Sequence, residues 1–369
     1  MPISRQEYER RYVAIRELMV KDELDCLVIF GLGDDFNRGN IRYITGSGRG
    51  GCCVFPLEDK PVFYIGPNQS KSPKIRKIVE AIDLLELRET ADHALQVGKE
   101  VSRFYKGNKI GIVGMGCISV PVYLNLQELF GTKLVDAVSI FEQVRAIKSE
   151  EEIEKIRIAA SVADNVFNQL MATIQPGISD YEIYGLVKNI IYGYGCDYSF
   201  DLIDAEGSKM NMTYWPTGEK LRNNSTLFME ITPAFEGYYA QLPVTLPVGS
   251  YPPLISKMVA TWKKTDELAI TLLRPETRVS DLYHYLIKSV EEDGFISPLR
   301  PGHAIGLDAL DFWSITESSP VVLQAGMVLA VHPCIMTELG GDACGMGYTY
   351  LITTDGPERF SQIDLGSLK

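Results

Sequence analysis

The sequence contains no CxxC pair, no block of lysine and arginine, and no apolar run near the roughly 18 residues that a membrane-spanning helix needs. Seven cysteines, Cys26, Cys52, Cys53, Cys117, Cys196, Cys334 and Cys344, are odd in number and scattered. That usage predicts a reduced cytoplasmic protein, with all but Cys344 acting as small buried hydrophobes. A net charge of -12 argues against nucleic acid or an anionic membrane as partner. The opening "MPISRQEYERRY" has no apolar stretch behind it of the kind a signal peptide carries. Histidine is also scarce: His93, His284, His303 and His332 are the whole supply. What remains is an ordinary soluble composition, 46% hydrophobic and 23% charged over 369 residues, long enough for two domains with cores.

Residues 1–145 alternate between two periods. "EYERRYVAIRELMV" has helical spacing, whereas "DCLVIFG", "GCCVFP", "PVFYIG" and "KIGIVG" are short apolar runs that end in a turn residue. The pattern predicts an α/β N-terminal domain with a buried sheet. "GSGRGG" at 46–51 reads as a glycine turn rather than a phosphate loop, because nothing places it at a helix start. Ser149 with Glu152, and the Ser before "DYEIYG" with Glu182, are capping boxes that open two helices. Strands follow near 198–204 and 226–247, helices at about 253–273 and 279–293, then strands near 327–333 and 347–354. Strand pairs with helices on one face predict an α+β domain over 146–369.

From here the chain resembles the pita-bread family of creatinase, prolidase, aminopeptidase P and methionine aminopeptidase. "NIRYITG", "VRAIKSEEEIEKIRIAASVAD", "EGYYAQL", "GHAIGLD", "LQAGMVLAVHP" and "YLITTDGPERF" stand in the family's order and spacing. The resemblance implies a creatinase-like N-terminal domain and a pseudo-symmetric pita-bread catalytic domain with its site on the concave face. Peptidases of the family hold two metal ions with two Asp, one His and two Glu. Carried over by position, those ligands fall on Glu230, Gln241, His303, His332 and Gly347 (or Tyr348). The family's three accessory histidines match Thr213, Leu299 and Leu310. The glutamates and histidine of creatinase, which uses no metal, match Pro243, His332 and Thr213.

Two bridging carboxylates are therefore missing on this reading, and three chemistries stay open. The first is a remodelled site for one divalent ion per subunit, held by Glu230, His303 and His332. Two histidines and one carboxylate serve non-haem Fe(II), and the same ligand types serve zinc. In the iron case the enzyme is an O₂-dependent oxygenase of a small amino-acid-like substrate, with Gln241 orienting a ligand. The second is a metal-independent, creatinase-like C–N hydrolase in which His303 or His332 is the base and Glu230 orients it. The third is an inactive binding protein. For substrate contacts the candidates are Arg42 and Arg49 as carboxylate holders, the aromatics Tyr214, Trp215, Tyr239 and Tyr350, and the thiol of Cys344. Relatives of this form are homodimers, so the same is expected here.

Overall fold

Ser149 and Ser179 open the helices Glu150–Thr173 and Asp180–Gly193, each through a reciprocal capping box. Ser149 N–H donates to Glu152 Oε2 at 2.9 Å, and Glu152 N–H donates back to Ser149 Oγ at 3.4 Å. Ser179 and Glu182 repeat the exchange at 2.9 and 3.3 Å. Both orphan donors are thereby satisfied before the first helical turn closes. The computed structural model describes residues 3–32, 38–205 and 215–368. It divides into two compact units, Met1–Ala146 and Ile147–Lys369.

The first unit is built on a six-stranded mixed sheet. Its spatial order is Glu86–Glu89, Val62–Ile65, Gly51–Pro56, Leu24–Gly31, Lys109–Val113 and Leu134–Asp136. Leu24–Gly31 is buried at every position, as a strand covered on both faces must be. Its Cys26, Val28 and Phe30 pack with Val97 and Val101 from one helix and Val122 and Leu126 from another. Gly46, at φ 68°, closes the short helix Gly39–Thr45 in the left-handed region, so "GSGRGG" is the turn that its glycines predict.

The second unit repeats one plan twice. The helices Glu150–Thr173 and Asp180–Gly193 accompany an antiparallel sheet of Leu202–Asp204, Ser225–Ile231 and Leu242–Val248. Pro253–Leu272 and Val279–Glu291 accompany a second one, of Gly302–Ala304, Val328–Val331, Tyr348–Thr353 and Gly356–Arg359. The halves are joined where Gly347 N–H donates to Pro243 O at 3.0 Å. The segment 228–245 is a strand, a tight turn and a strand. Glu236 (φ 46°) and Gly237 (φ 87°) make its two-residue loop between Phe235 and Tyr238, the left-handed pair that a twisted hairpin prefers.

Candidate functional site

Glu230 lies in the middle strand of the first half-sheet, directly opposite Leu202 on one side and Pro243 on the other. Side chains alternate across a strand, so Glu230 and Pro243 share a face. Two residues before Pro243, Gln241 meets the second half-sheet. Its N–H donates to Thr349 Oγ1 at 2.8 Å, and that hydroxyl donates to Gln241 O at 2.9 Å. Thr349 is opposite Ala330, and Ala330 is opposite His303. The register therefore sets His303 and Thr349 on one face of their sheet.

The histidines are neighbours. The rings of His303 and His332 are 5.1 Å apart at 68°. His303 Nδ1 donates to Ala304 O at 2.9 Å, which leaves Nε2 as the ring's acceptor. His332 N–H donates to Pro301 O at 2.8 Å, while its ring Nε2 is buried without a hydrogen-bond partner among the described residues. Gln241 Oε1 is buried and unpartnered in the same way. Burial holds the His303 imidazolium down to about 4, opposed by its main-chain hydrogen bond, and the Arg300 charge lowers it further. Burial also holds His332 well below its usual value, with His303 and Arg300 adding to the effect. Glu230, only 8% exposed, is pushed up from 4.5 to about 7 by burial, against a hydrogen bond from the Gln241 side chain. The Arg300 cation favours its ionised form and the Asp201 carboxylate disfavours it.

These groups do not make the expected three-ligand metal set. Among the described residues, no group of three or more His, Cys, Asp or Glu side chains is placed to hold a metal ion. Asp201 and Asp311, whose charges act on Glu230 and His303, are each tied to a lysine: Lys188 at 2.6 Å and Lys148 at 3.2 Å. A side chain at position 347 has no room. A Cβ there would stand 2.2 Å from Val331 O and 2.5 Å from His332 Cβ. A pair of divalent cations needs bridging carboxylates to offset four charges. One buried carboxyl, one amide and two neutral imidazoles do not fit it.

Other candidates are placed differently from expectation. Tyr350 does not line the site: its hydroxyl donates to Asp266 Oδ1 at 2.7 Å, on the Pro253–Leu272 helix. It alternates with Thr349 and so stands on the opposite face, beside Tyr348 and Trp262. Cys344 is fully buried, with Thr245 as hydrogen-bond partner, and burial pushes its thiol up to about 12. Tyr239 is fully buried, and its N–H donates to Gly306 O at 2.8 Å, which braces the loop after His303. Trp215 is 74% exposed, and Thr213 and Tyr214 lie outside the described residues. Leu299 packs on Cys334, Met336 and Ala343. Arg42, half-buried on the helix Gly39–Thr45, and Arg49, exposed in the glycine turn, both belong to the first unit. Sequence reasoning passed over Arg300, although it stands three residues before His303 in "LRPGHAIG".

Comparison with known proteins adds the lineage. A model described as Metallopeptidase family M24 matches residues 154–354, and one described as Creatinase/Prolidase N-terminal domain matches residues 11–147. An uncharacterized peptidase of Staphylococcus aureus (strain USA300) is 26% identical over 221 residues, 59% of this chain and 63% of that protein. The match thus spans under two thirds of the length of the curated relatives. A solved Xaa-Pro dipeptidase from Bacillus anthracis superposes with a TM-score of 0.83 at 17% identity, over 97% of this chain and 98% of that one. A prolidase from Pyrococcus furiosus does so with 0.79 at 18%, over 95% and 99%. At these identities the structures show the fold: the creatinase-like N-terminal domain and pita-bread domain expected from the sequence. The family model and the peptidase relatives overturn the oxygenase reading. The chemistry of this lineage is hydrolysis, and nothing supports iron or an oxidoreductase.

Proposed function

The chain belongs to metallopeptidase family M24, and on that premise we propose that it hydrolyses a C–N bond in a small amino-acid-like or dipeptide-like molecule. The family's names imply a divalent metal cofactor, but the donor set described above does not fit a metal pair, so the proposed hydrolysis runs on side chains alone. The observation that carries this reading is the buried Glu230 carboxyl, held by the Gln241 amide on the same sheet face as Pro243. A carboxyl that ionises near 7 is matched to proton transfer at neutral pH. In the proposed sequence Glu230 takes a proton from water as the water oxygen bonds to the scissile carbonyl carbon. Glu230 then returns that proton to the leaving nitrogen as the C–N bond breaks. His303 and His332, neutral at physiological pH, hold the water and the carbonyl through their ring nitrogens.

Peptide hydrolysis is what the relatives' names print: Xaa-Pro dipeptidase, prolidase, peptidase. None of the seven cysteines is in a disulfide and six are buried, which favours a reducing cytoplasm. No helix among the described residues is long and apolar enough to cross a membrane. A homodimer completes the proposal.

The test is turnover of a panel of dipeptides and amino-acid amides by protein stripped with chelator and checked by elemental analysis. Expected is hydrolysis that survives stripping and is lost in Glu230→Gln. Turnover only after manganese, zinc or cobalt is restored would refute the metal-independent mechanism.

A further inference from the structure

Thr232 stands at the joint between the strands Ser225–Ile231 and Pro233–Phe235. One register runs through the joint. Ile231 faces Leu242, Pro233 O accepts the N–H of Ala240 at 3.2 Å, and Ala234 faces Tyr239. Thr232 is therefore directly opposite Gln241. Thr232 lies two residues after Glu230, and Gln241 two before Pro243, so all four side chains share one face of the sheet. The main chain of the pair is fully engaged. Thr232 N–H donates to Asp201 Oδ1 at 2.9 Å, and its carbonyl accepts the N–H of Phe200 at 3.0 Å. Gln241 N–H and O are both held by Thr349 Oγ1, at 2.8 and 2.9 Å.

The side-chain oxygens of the pair are not engaged. Thr232 is 0% exposed and Gln241 4%, yet neither Thr232 Oγ1 nor Gln241 Oε1 has a hydrogen-bond partner among the described residues. The Gln241 amide nitrogen is the group that reaches Glu230, which leaves Oε1 as a pure acceptor. Other buried oxygens lack partners too, but without a polar companion: Thr226 Oγ1, on the same strand, faces Pro247. Thr232 and Gln241 set two such oxygens face to face, beside the carboxyl that the proposed hydrolysis uses. Buried polar atoms are almost always satisfied, so a donor from outside the chain is expected between them. Directly opposite residues hold their Cβ atoms about 4.5–5.5 Å apart. A planar –NH2 group, with N···O distances of about 2.9 Å and hydrogens about 120° apart, bridges oxygens about 5 Å apart. A peptide N–H reaches only one of them. An ammonium ion would be buried against two uncharged oxygens and a carboxyl that burial pushes toward its neutral form, which offset its charge poorly.

We infer that Thr232 is a further substrate-contacting residue, and that with Gln241 it forms a seat for the –NH2 group of a primary carboxamide. The inference deepens the hydrolase reading, on which it rests for the identity of the site, and narrows the substrate class from peptides to primary amides. The seated nitrogen is then the leaving group. The water oxygen bonds to the carbonyl carbon, the C–N bond breaks, and the nitrogen takes the proton that Glu230 returns and departs as ammonia. The carboxylic acid is the other product. An N-substituted amide, a peptide included, would place a carbon where one of the two oxygens needs a hydrogen.

The experiment is calorimetric titration of wild type, Thr232→Val and Thr232→Ser with alanine amide, its N-methylamide and its N,N-dimethylamide. The amine is common to all three probes, so an amine-reading site gives a flat series. Valine is isosteric with threonine and removes an unpartnered hydroxyl, so Thr232→Val should melt at or above the wild-type temperature. Wild type should bind the primary amide about 2- to 10-fold more tightly than the N-methylamide, the range for one neutral hydrogen bond, and the dimethylamide most weakly. Thr232→Val should bind the primary and N-methyl amides alike. Thr232→Ser keeps the hydroxyl and should restore the preference. A wild type that does not discriminate, or that binds none of the probes, overturns the inference and leaves the two oxygens to water. So does a Thr232→Val protein that keeps the wild-type preference, which would assign it to crowding by the methyl group. If the preference behaves as stated and no probe is cleaved, the seat stands and the hydrolase reading falls. If the probes are cleaved without regard to their N–H count, the hydrolase reading stands and the seat falls.

Discussion

Replacing Glu230 by glutamine should stabilise the protein at alkaline pH while abolishing the proposed hydrolysis. The carboxyl ionises near 7 in the folded chain against an ordinary 4.5, chiefly because burial penalises its charge. The sign follows by linkage. Below pH 4.5 the group is protonated in both folded and unfolded chains and costs nothing. Between 4.5 and 7 the unfolded chain ionises first, so stability falls as pH rises, and the loss is complete above the folded value. At about 1.36 kcal/mol per pH unit, the interval from 4.5 to about 7 amounts to about 3 kcal/mol. Glutamine is isosteric, never ionises, and still offers an oxygen to the Gln241 amide. The second unit is in the size class where each kcal/mol moves the melting temperature by about 2–4 °C. Glu230→Gln should therefore melt several degrees above wild type at pH 8.5 and within a degree or so of it at pH 4.5. Differential scanning calorimetry across that range measures the gap. A gap that is constant with pH, or that widens toward acid, would refute the assignment of a buried, neutral-leaning carboxyl. Stability gained with activity lost is the behaviour of a strained functional group.

Two further outcomes are expected. Gly347→Ala should destabilise by about 1–3 kcal/mol in urea denaturation through overpacking against Val331 O and His332 Cβ, and Gly347→Glu should not raise bound manganese in elemental analysis above that of wild type. Tyr350→Phe should cost about 1–3 kcal/mol of stability, because it leaves the buried Asp266 without its hydroxyl donor, while KM for any substrate stays unchanged since Tyr350 faces the Pro253–Leu272 helix.

The fold was legible because local and global signals agree in it. The two Ser/Glu capping boxes stand where they were read, and the helices Pro253–Leu272 and Val279–Glu291 match the expected spans closely. The apolar runs before glycine became the sheet of the first unit. Missed were the three-residue strand Gly302–Ala304 and the hairpin of Cys334–Met336 with Ala343–Gly345. Both are too short to show a period, and their pairing is set by partners distant in sequence. The face of Tyr350 was equally invisible. A strand buried on both sides has no polar alternation to say which side meets a helix, and only the Thr349 link to Gln241 decides it.

The site was legible in residue type and illegible in grouping. Glu230, Gln241, His303 and His332 were singled out by residue type, and ligand chemistry alone suggested that they close around one ion. Two direct contacts are formed among them. Glu230 goes with Gln241 on the first half-sheet, and His303 goes with His332 on the second. Positions 332 and 347 pack directly against each other. The Cβ of His332 lies 2.5 Å from where a Cβ on residue 347 would stand, so the backbone approach now present excludes a second side chain there. A carboxylate placed at position 347 would meet a steric clash. A metal pair needs several carboxylates close together to offset its charge. The groups the cleft does present are a buried carboxyl pushed up to about 7 and two buried imidazoles whose protonated forms burial disfavours.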